Sequence, residues 1–264
     1  MNIVIISNCS PRDILVLQHL RTGFDNVIII RHKRSNSFLK RRPKNQGYVE
    51  FIGKKVLSRL RNNSLRKKSP VISLDDSNFK IIDFDHGRIN SQDGLEMLRS
   101  LDTDLLVTCH APLLSGSVLK VAKVAAINVH YGIPPQYRGF DTLFWPWFKK
   151  DSDHIGGSIH YINAGVDTGD VLAKVYPALE KSDSETDFDI KTADLLGIAL
   201  TKVLAFIINE GHIPIGERQV GKGRNYKRVD RTLWISIKAI LFHNLGMINP
   251  KPRKAKIDFF LTKS

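Results

Sequence analysis

The chain has 264 residues, of which 42% are hydrophobic and 25% charged, and it carries a formal net charge of +14. That length supports one substantial core, or one domain with an appendage. The composition excludes a disordered or fibrous chain, and with no apolar run of about eighteen residues, no membrane span is expected.

The first residues, MNIVIISNCSPRD, lack a basic n-region and read as a strand over residues 2–7 rather than a signal peptide. A cytoplasmic protein is the expectation, with Cys9 and Cys109 as free thiols at strand ends. Residues 13–20 follow as a short helix, with Pro11 suited to its first turn, and 26–30 as a second strand. This order suggests a parallel sheet. The loop Asn8-Cys9-Ser10-Pro11-Arg12 has no glycine, so it is neither a dinucleotide fingerprint nor a P-loop.

Charge is unevenly placed. Residues 31–70 hold 14 Lys/Arg and one acid, residues 218–264 hold 12 and two, and residues 71–217 hold 12 and 21. The two basic segments attract phosphate, on a nucleotide, a nucleic acid or a membrane surface. The first reads as an insertion: a polar, turn-rich stretch over 31–47, one helix over 48–60 at helical apolar spacing, then a loop over 62–69. Further on, Ile81-Ile82-Phe84 suggests a strand, 91–101 a helix, 105–107 a central strand and Ser115 the start of a short helix. The aromatic run 140–149 predicts a core helix with Phe140, Phe144 and Phe148 on one face. Residues 171–176 read as a last strand. Ser184 and Asp187 stand at capping-box spacing before a long helix that ends at Gly211. Beyond it lie a basic stretch over 216–228, an apolar helix over 232–245 and a loosely held tail over 249–256. Packing within the protein is the first expectation for the 232–245 helix, with pairing in a homodimer or lying on a membrane left open. The domain reading is 1–211 as a catalytic domain and 212–264 as a basic extension with one helix.

The chemistry concentrates between residues 124 and 170. An apolar run over 124–129 is interrupted by Asn128 and ends on His130. Residues two apart on a strand share a face, so Asn128 and His130 project together, opposite Ile127 and Val129. A second apolar run, 159–162, leads into Asn163-Ala164-Gly165 and the turn Val166-Asp167-Thr168-Gly169. An amide, an imidazole and a carboxylate meeting at strand ends make an acid-base site. His110, His130, His160 and Asp167 lack the H-x-x-x-H or CxxC spacing of zinc sites, so no metal is expected.

At these residues the chain resembles the folate-dependent formyltransferases. The resemblance rests on Asn128-Val129-His130, on Pro134-Pro135-Gln136-Tyr137-Arg138-Gly139 and on Val166-Asp167-Thr168-Gly169, and covers roughly residues 80–210. The family often has Ser-Leu-Leu-Pro after the histidine; this chain has Gly132-Ile133-Pro134-Pro135. The resemblance implies an α/β fold with a Rossmann-like, mostly parallel sheet flanked by helices. It implies 10-formyltetrahydrofolate as co-substrate and Asn128, His130 and Asp167 as catalytic residues. Asp167 would hold His130 charged and accept the amine proton. The same resemblance assigns Pro112, Leu113, Leu114, His160, Asn163 and Gly165 to the folate, and Arg138 and Gly139 to the acceptor.

Within the family the acceptor follows by elimination. Only 54 residues follow Glu210, too few for the C-terminal barrel of the methionyl-tRNA enzymes, and the first loop lacks the glycines of the glycinamide ribonucleotide enzymes. A nucleotide-linked amino sugar remains, as in lipopolysaccharide or other surface-polysaccharide synthesis, its diphosphate held by basic residues of 31–70 or 218–228. Nucleic acid is not expected as an obligatory partner. The competing readings are a tRNA or glycinamide ribonucleotide acceptor, a formyltetrahydrofolate hydrolase, and a non-catalytic nucleic-acid-binding protein on the same scaffold.

Overall fold

The run Ile3–Ser7 is buried at every position, as expected of a strand covered on both faces of a parallel sheet. Its side chains sort by period two: Ile3 and Ile5 enter one apolar cluster and Val4 and Ile6 another. Leu105 and Val107 divide from Leu106 in the same way. The sheet therefore separates two cores.

The computed structural model describes residues 1–33, 47–68 and 79–262. In chain order the elements are β1 (Ile3–Ser7), α1 (Pro11–Leu17), β2 (Val27–Lys33), α2 (Tyr48–Lys68), β3 (Lys80–Asp85), α3 (Gln92–Ser100), β4 (Leu105–Cys109), α4 (Gly116–Leu119), β5 (Ala125–His130), β6 (Tyr137–Gly139), α5 (Phe144–Phe148), β7 (Gly157–Tyr161), β8 (Val171–Tyr176), α6 (Glu185–Glu210), β9 (Arg224–Tyr226), α7 (Leu233–Asn244) and β10 (Lys256–Phe259). The described residues form an eight-stranded sheet of order β10-β8-β7-β5-β4-β1-β2-β3. β3, β2, β1, β4 and β5 run parallel, and β7, β8 and β10 each pair antiparallel with their neighbour. This is the mostly parallel α/β sheet flanked by helices that the sequence predicts. Helices α1 and α6 pack together over one face, and α3 with α4 cover the other.

Helix α6 is capped as its sequence requires: the Ser184 N–H and hydroxyl donate to the Asp187 carboxylate at 2.9 and 2.6 Å, and Gly211 closes the helix at φ 67°. It is long and apolar enough to cross a membrane, yet Leu196, Leu200, Val203, Leu204 and Ile207 are buried in the core it shares with the sheet.

Four expectations are corrected. The helix over 48–60 extends through the predicted loop to Lys68. Its polar second half is fastened to α6 by Arg61 on Asp189 and Glu185 and by Lys68 on Asp187, with Leu65 buried beneath. Residues 34–46 and 69–70 of the basic insertion lie outside the described residues. The aromatic helix starts only at Phe144, because Asp141 turns the chain at φ 55°; Phe140 precedes it and is 56% exposed. Phe144 and Phe148 do stack, 5.5 Å apart. The tail over 249–256 is pinned: Leu179 and Arg253 exchange backbone hydrogen bonds at 2.9 and 3.1 Å, and Arg253 Nε and Nη1 donate to the carbonyls of Pro177 and Ser152. Finally, α7 packs on the protein through the buried Ser236 and Ala239 and the partly buried Ile235 and Phe242, while its other large apolar residues stay exposed. The 212–264 segment also adds β10 to the edge of the main sheet and β9 alongside β6.

Candidate active site

Asn128 and His130 sit at alternate positions of β5 with Ile127 and Val129 buried between and beneath them. In the β5–β7 register Asn128 stands opposite His160. Asp167 comes from the β7–β8 loop and adopts φ 50°, the left-handed region a short polar side chain tolerates. Asn163 Oδ1 braces this loop by accepting from the Gly165 N–H (3.0 Å) and the Thr168 hydroxyl (2.6 Å). Gly169 is needed for closeness: a Cβ there would stand 1.9 Å from the Tyr161 carbonyl oxygen.

The side chains converge. Asn128 Nδ2 lies 3.2 Å from both Asp167 Oδ1 and His160 Nε2. Asp167 Oδ2 accepts from the Gly139 N–H at 2.8 Å and faces His130 Nδ1 at 3.6 Å. His160 Nδ1–H donates to the Tyr161 carbonyl at 2.9 Å, which leaves Nε2 bare for the Asn128 amide.

Asp167 is driven two ways. Burial resists its ionisation, but His130, His160 and the Gly139 N–H prevail and hold the carboxyl well below its ordinary range. His130 moves down: burial outweighs the attraction of Asp167, and His160 adds to the depression. This corrects the expectation of a charged imidazole. Near pH 7 the ring is neutral; it gains its proton in acid, where its charge keeps Asp167 ionised. Nε2, 3.2 Å from the Tyr137 carbonyl, then carries the proton and Nδ1 is bare. The ring nitrogen resonances of His130 should titrate with a midpoint below the ordinary ~6.5. A midpoint above that value contradicts the neutral assignment. The linkage has the same sign: the unfolded chain takes up this proton first, so stability falls as pH drops below about 6.5.

Of the residues the resemblance assigns to folate, His160 is 2% exposed and belongs to the central cluster. Asn163 and Gly165 make bonds within the Asp167 loop. Leu113 is 75% exposed, between the half-buried Pro112 and Leu114. Of the two acceptor residues, Gly139 positions Asp167, while Arg138 Nε is buried with no hydrogen-bond partner among the described residues.

Three residues that sequence reading passed over complete the geometry. Thr108, beside Asn128 on β4, donates to Asn128 Oδ1 at 2.7 Å and so turns the amide nitrogen toward Asp167. A lone hydroxyl in the buried LLVTC run was the available signal. Asn90 clamps the 113–115 loop, donating to the Leu113 carbonyl and accepting from the Ser115 N–H, each at 2.8 Å. Gln219 donates to the carbonyls of Asp167 and Gly169 at 3.0 and 2.8 Å; nothing in its local sequence marks it.

The sequence profile described as formyl transferase matches residues 37–204. The chain belongs to that family. It is 30% identical over 181 residues to a GDP-perosamine N-formyltransferase of Brucella melitensis, covering 68% of this chain and 64% of that protein. It is 28% identical over 113 residues to a methionyl-tRNA formyltransferase of Methylacidiphilum infernorum, covering 42% of this chain and 35% of that protein. The chain thus spans less than two thirds of the length of these relatives. The fold is similar to that of a formyltransferase from Anoxybacillus kamchatkensis, solved with UDP-4,6-dideoxy-4-formamido-L-AltNAc and tetrahydrofolate. The TM-score is 0.52 at 16% identity, covering 94% of this chain and 95% of that one.

Among the described residues of this formyl transferase family member are two clefts, neither of them lined by Asn128, His130, His160 or Asp167. One, of about 160 Å³, lies among Asn8, Ser10, Arg12, Arg61 and His110. There Asp13, Cys109 and His110 bring metal-ligand atom types within 4.8 Å of one another. They are already engaged: the Cys109 thiol donates to Asp13 at 3.3 Å, His110 Nδ1–H donates to Asp13, and Arg12 donates to His110 Nε2 at 2.7 Å. Burial, then Asp13, push the Cys109 thiol well up, so it stays protonated. The second cleft, of about 320 Å³, is open and basic, with Lys149, Lys222 and Arg224 around Gln136 and Tyr137 beside Arg138.

Proposed function

We propose that this protein is an N-formyltransferase moving the formyl group of 10-formyltetrahydrofolate to the primary amine of a nucleotide-linked amino sugar in the cytoplasm, for surface-polysaccharide synthesis. The observation that carries the chemistry is the convergence of Asn128, His130, His160 and Asp167 within hydrogen-bond or near hydrogen-bond reach.

The residues fit the co-substrate. The donor set suits a formyl oxygen, and the exposed Leu113 ledge held by Asn90 suits an apolar ring face. When bound, 10-formyltetrahydrofolate supplies the formyl carbon and departs with a proton on N10. Asn128 Nδ2 keeps its bond to Asp167 and turns its other N–H from His160 Nε2 to the formyl oxygen as charge gathers there, a contribution of about 3 kcal/mol for one preorganised donor. Asp167, ionised and already oriented by the Gly139 N–H, accepts the proton the amine gives up. His130 offers its bare Nδ1 beside Asp167 and holds a proton at Nε2, the arrangement a relay needs. Arg138 and the cleft of Lys149, Lys222 and Arg224 match an anionic acceptor such as a nucleoside diphosphate. The similarity to a GDP-perosamine enzyme supports the same acceptor class.

The test is incubation with 10-formyltetrahydrofolate and UDP-, GDP- and dTDP-linked amino sugars, followed by mass spectrometry. Gain of one formyl group by a nucleotide sugar is expected. Formylation of glycinamide ribonucleotide or methionyl-tRNA alone would overturn the acceptor assignment. Thr108→Val should lower kcat by about tenfold, through a loosened Asn128 amide, with little change in KM. An unchanged kcat would remove Thr108 from the positioning scheme.

A further inference from the structure

We propose that α2 and α7 together form a docking face for an anionic lipid bilayer. Helix α7 is apolar on both its packed and its outer side. It sends Ser236, Ala239, Ile235 and Phe242 toward the core and leaves Trp234, Ile237, Leu241 and Leu245 exposed at 74, 42, 53 and 63%. Their spacing of three and four places them on one side of the helix. Helix α2 repeats the pattern, with Tyr48, Ile52, Val56 and Leu60 exposed at four-residue intervals. The two helices touch where the Leu233 side chain lies over Gly53; a Cβ on Gly53 would stand 2.4 Å from Leu233. Ile52 and Trp234 are the chain neighbours of that joint, so the two apolar stripes begin beside one another. Such paired stripes mark an interaction surface.

Charge selects the occupant. Helix α2 carries seven Lys/Arg, and its one acid is Glu50, paired with Lys54; α7 carries Lys238 and no acid. Arg61 and Lys68 are spent on α6, whereas Arg59, Arg66, Lys67 and Lys238 are exposed. A second copy seated by two-fold symmetry would bring this basic surface against itself. A bilayer with anionic headgroups accepts both parts: the apolar stripe enters the headgroup–acyl boundary, where Trp and Tyr are favoured, and the cations meet lipid phosphates. The four clustered side chains of the active site lie on neither helix, so docking leaves them in place.

Vesicle flotation with phosphatidylcholine alone and with added phosphatidylglycerol tests the proposal. The intact protein should float with the anionic vesicles, not with phosphatidylcholine alone, and be released by high salt. Trp145 and Trp147 are 6 and 4% exposed, so a blue shift of tryptophan emission, quenched by brominated lipid, reports on Trp234. Leu241→Glu should cut the bound fraction by about tenfold, as a charge in the apolar stripe resists burial, with formyl transfer unchanged. Arg66→Glu with Lys67→Glu should weaken binding while keeping the emission shift at high lipid. The proposal fails if the intact protein ignores anionic vesicles or if Leu241→Glu binds as well as the parent. It also fails if the protein is a dimer that Leu241→Glu splits into monomers without lipid.

Discussion

Asp167→Asn should lower formyl transfer by roughly 10²- to 10⁴-fold, the range for losing a positioned general base, while the protein remains folded. The substitution keeps shape and removes charge. An asparagine carbonyl oxygen can still accept the Gly139 N–H that Asp167 Oδ2 accepts at 2.8 Å. Its amide nitrogen would then face Asn128 Nδ2, where the carboxylate oxygen now sits at 3.2 Å, placing donor against donor. The site would thus lose both its proposed proton acceptor and the orientation of Asn128. The loss should appear in kcat more than in KM, because the interactions removed act on the reacting atoms. The measurement is steady-state kinetics beside circular dichroism and thermal unfolding. Turnover within about threefold of the parent would dismiss Asp167 as the proton acceptor.

Asp189→Ala should destabilise the fold by about 3 kcal/mol, the lower end for breaking a buried ion pair. Asp189 is fully buried on α6 and accepts from Arg12 Nη1 at 2.8 Å and from Arg61 Nε and Nη2 at 2.8 and 2.5 Å. Without it, two guanidinium groups from α1 and α2 are left against one another, with Glu185 alone holding Arg61. The Arg12 and Arg61 side chains keep some contact with solvent, 22 and 24%, which places the cost low in the range. The unfolding midpoint should fall by roughly 10 °C for a protein of this size. A drop under about 2 °C would show that water replaces the carboxylate.

Much of the sheet and the site was legible because each rests on a local pattern. The buried strands carry uninterrupted apolar runs, and Asn128 and His130 stand out as polar residues two apart within one. Asp167 is announced by the turn chemistry around it. What was not legible depends on partners distant in sequence. Helix α2 beyond residue 60 has little apolar periodicity, and it persists through ion pairs to residues on α6. β9 and β10 are short and take their identity from β6 and β8. The protonation of His130 follows from burial by the folded chain, which overrides its carboxylate neighbour. The outward face of α7 was hidden because a mostly apolar helix with large residues on every side does not show in its sequence which of them pack.

The β6–β9 pairing has a consequence for how such enzymes diversify. Gly139, whose N–H orients Asp167, is backed by β9 so tightly that a methyl group there would stand 2.3 Å from the Tyr226 carbonyl oxygen. Gln219 grips the neighbouring loop from the same segment. A chimera that replaces residues 212–264 with the tail of another relative therefore rebuilds part of the wall of the candidate site. Grafts that preserve the strand beside Gly139 and an amide at 219 should stay active, and tails can be shuffled to new acceptors only within that constraint.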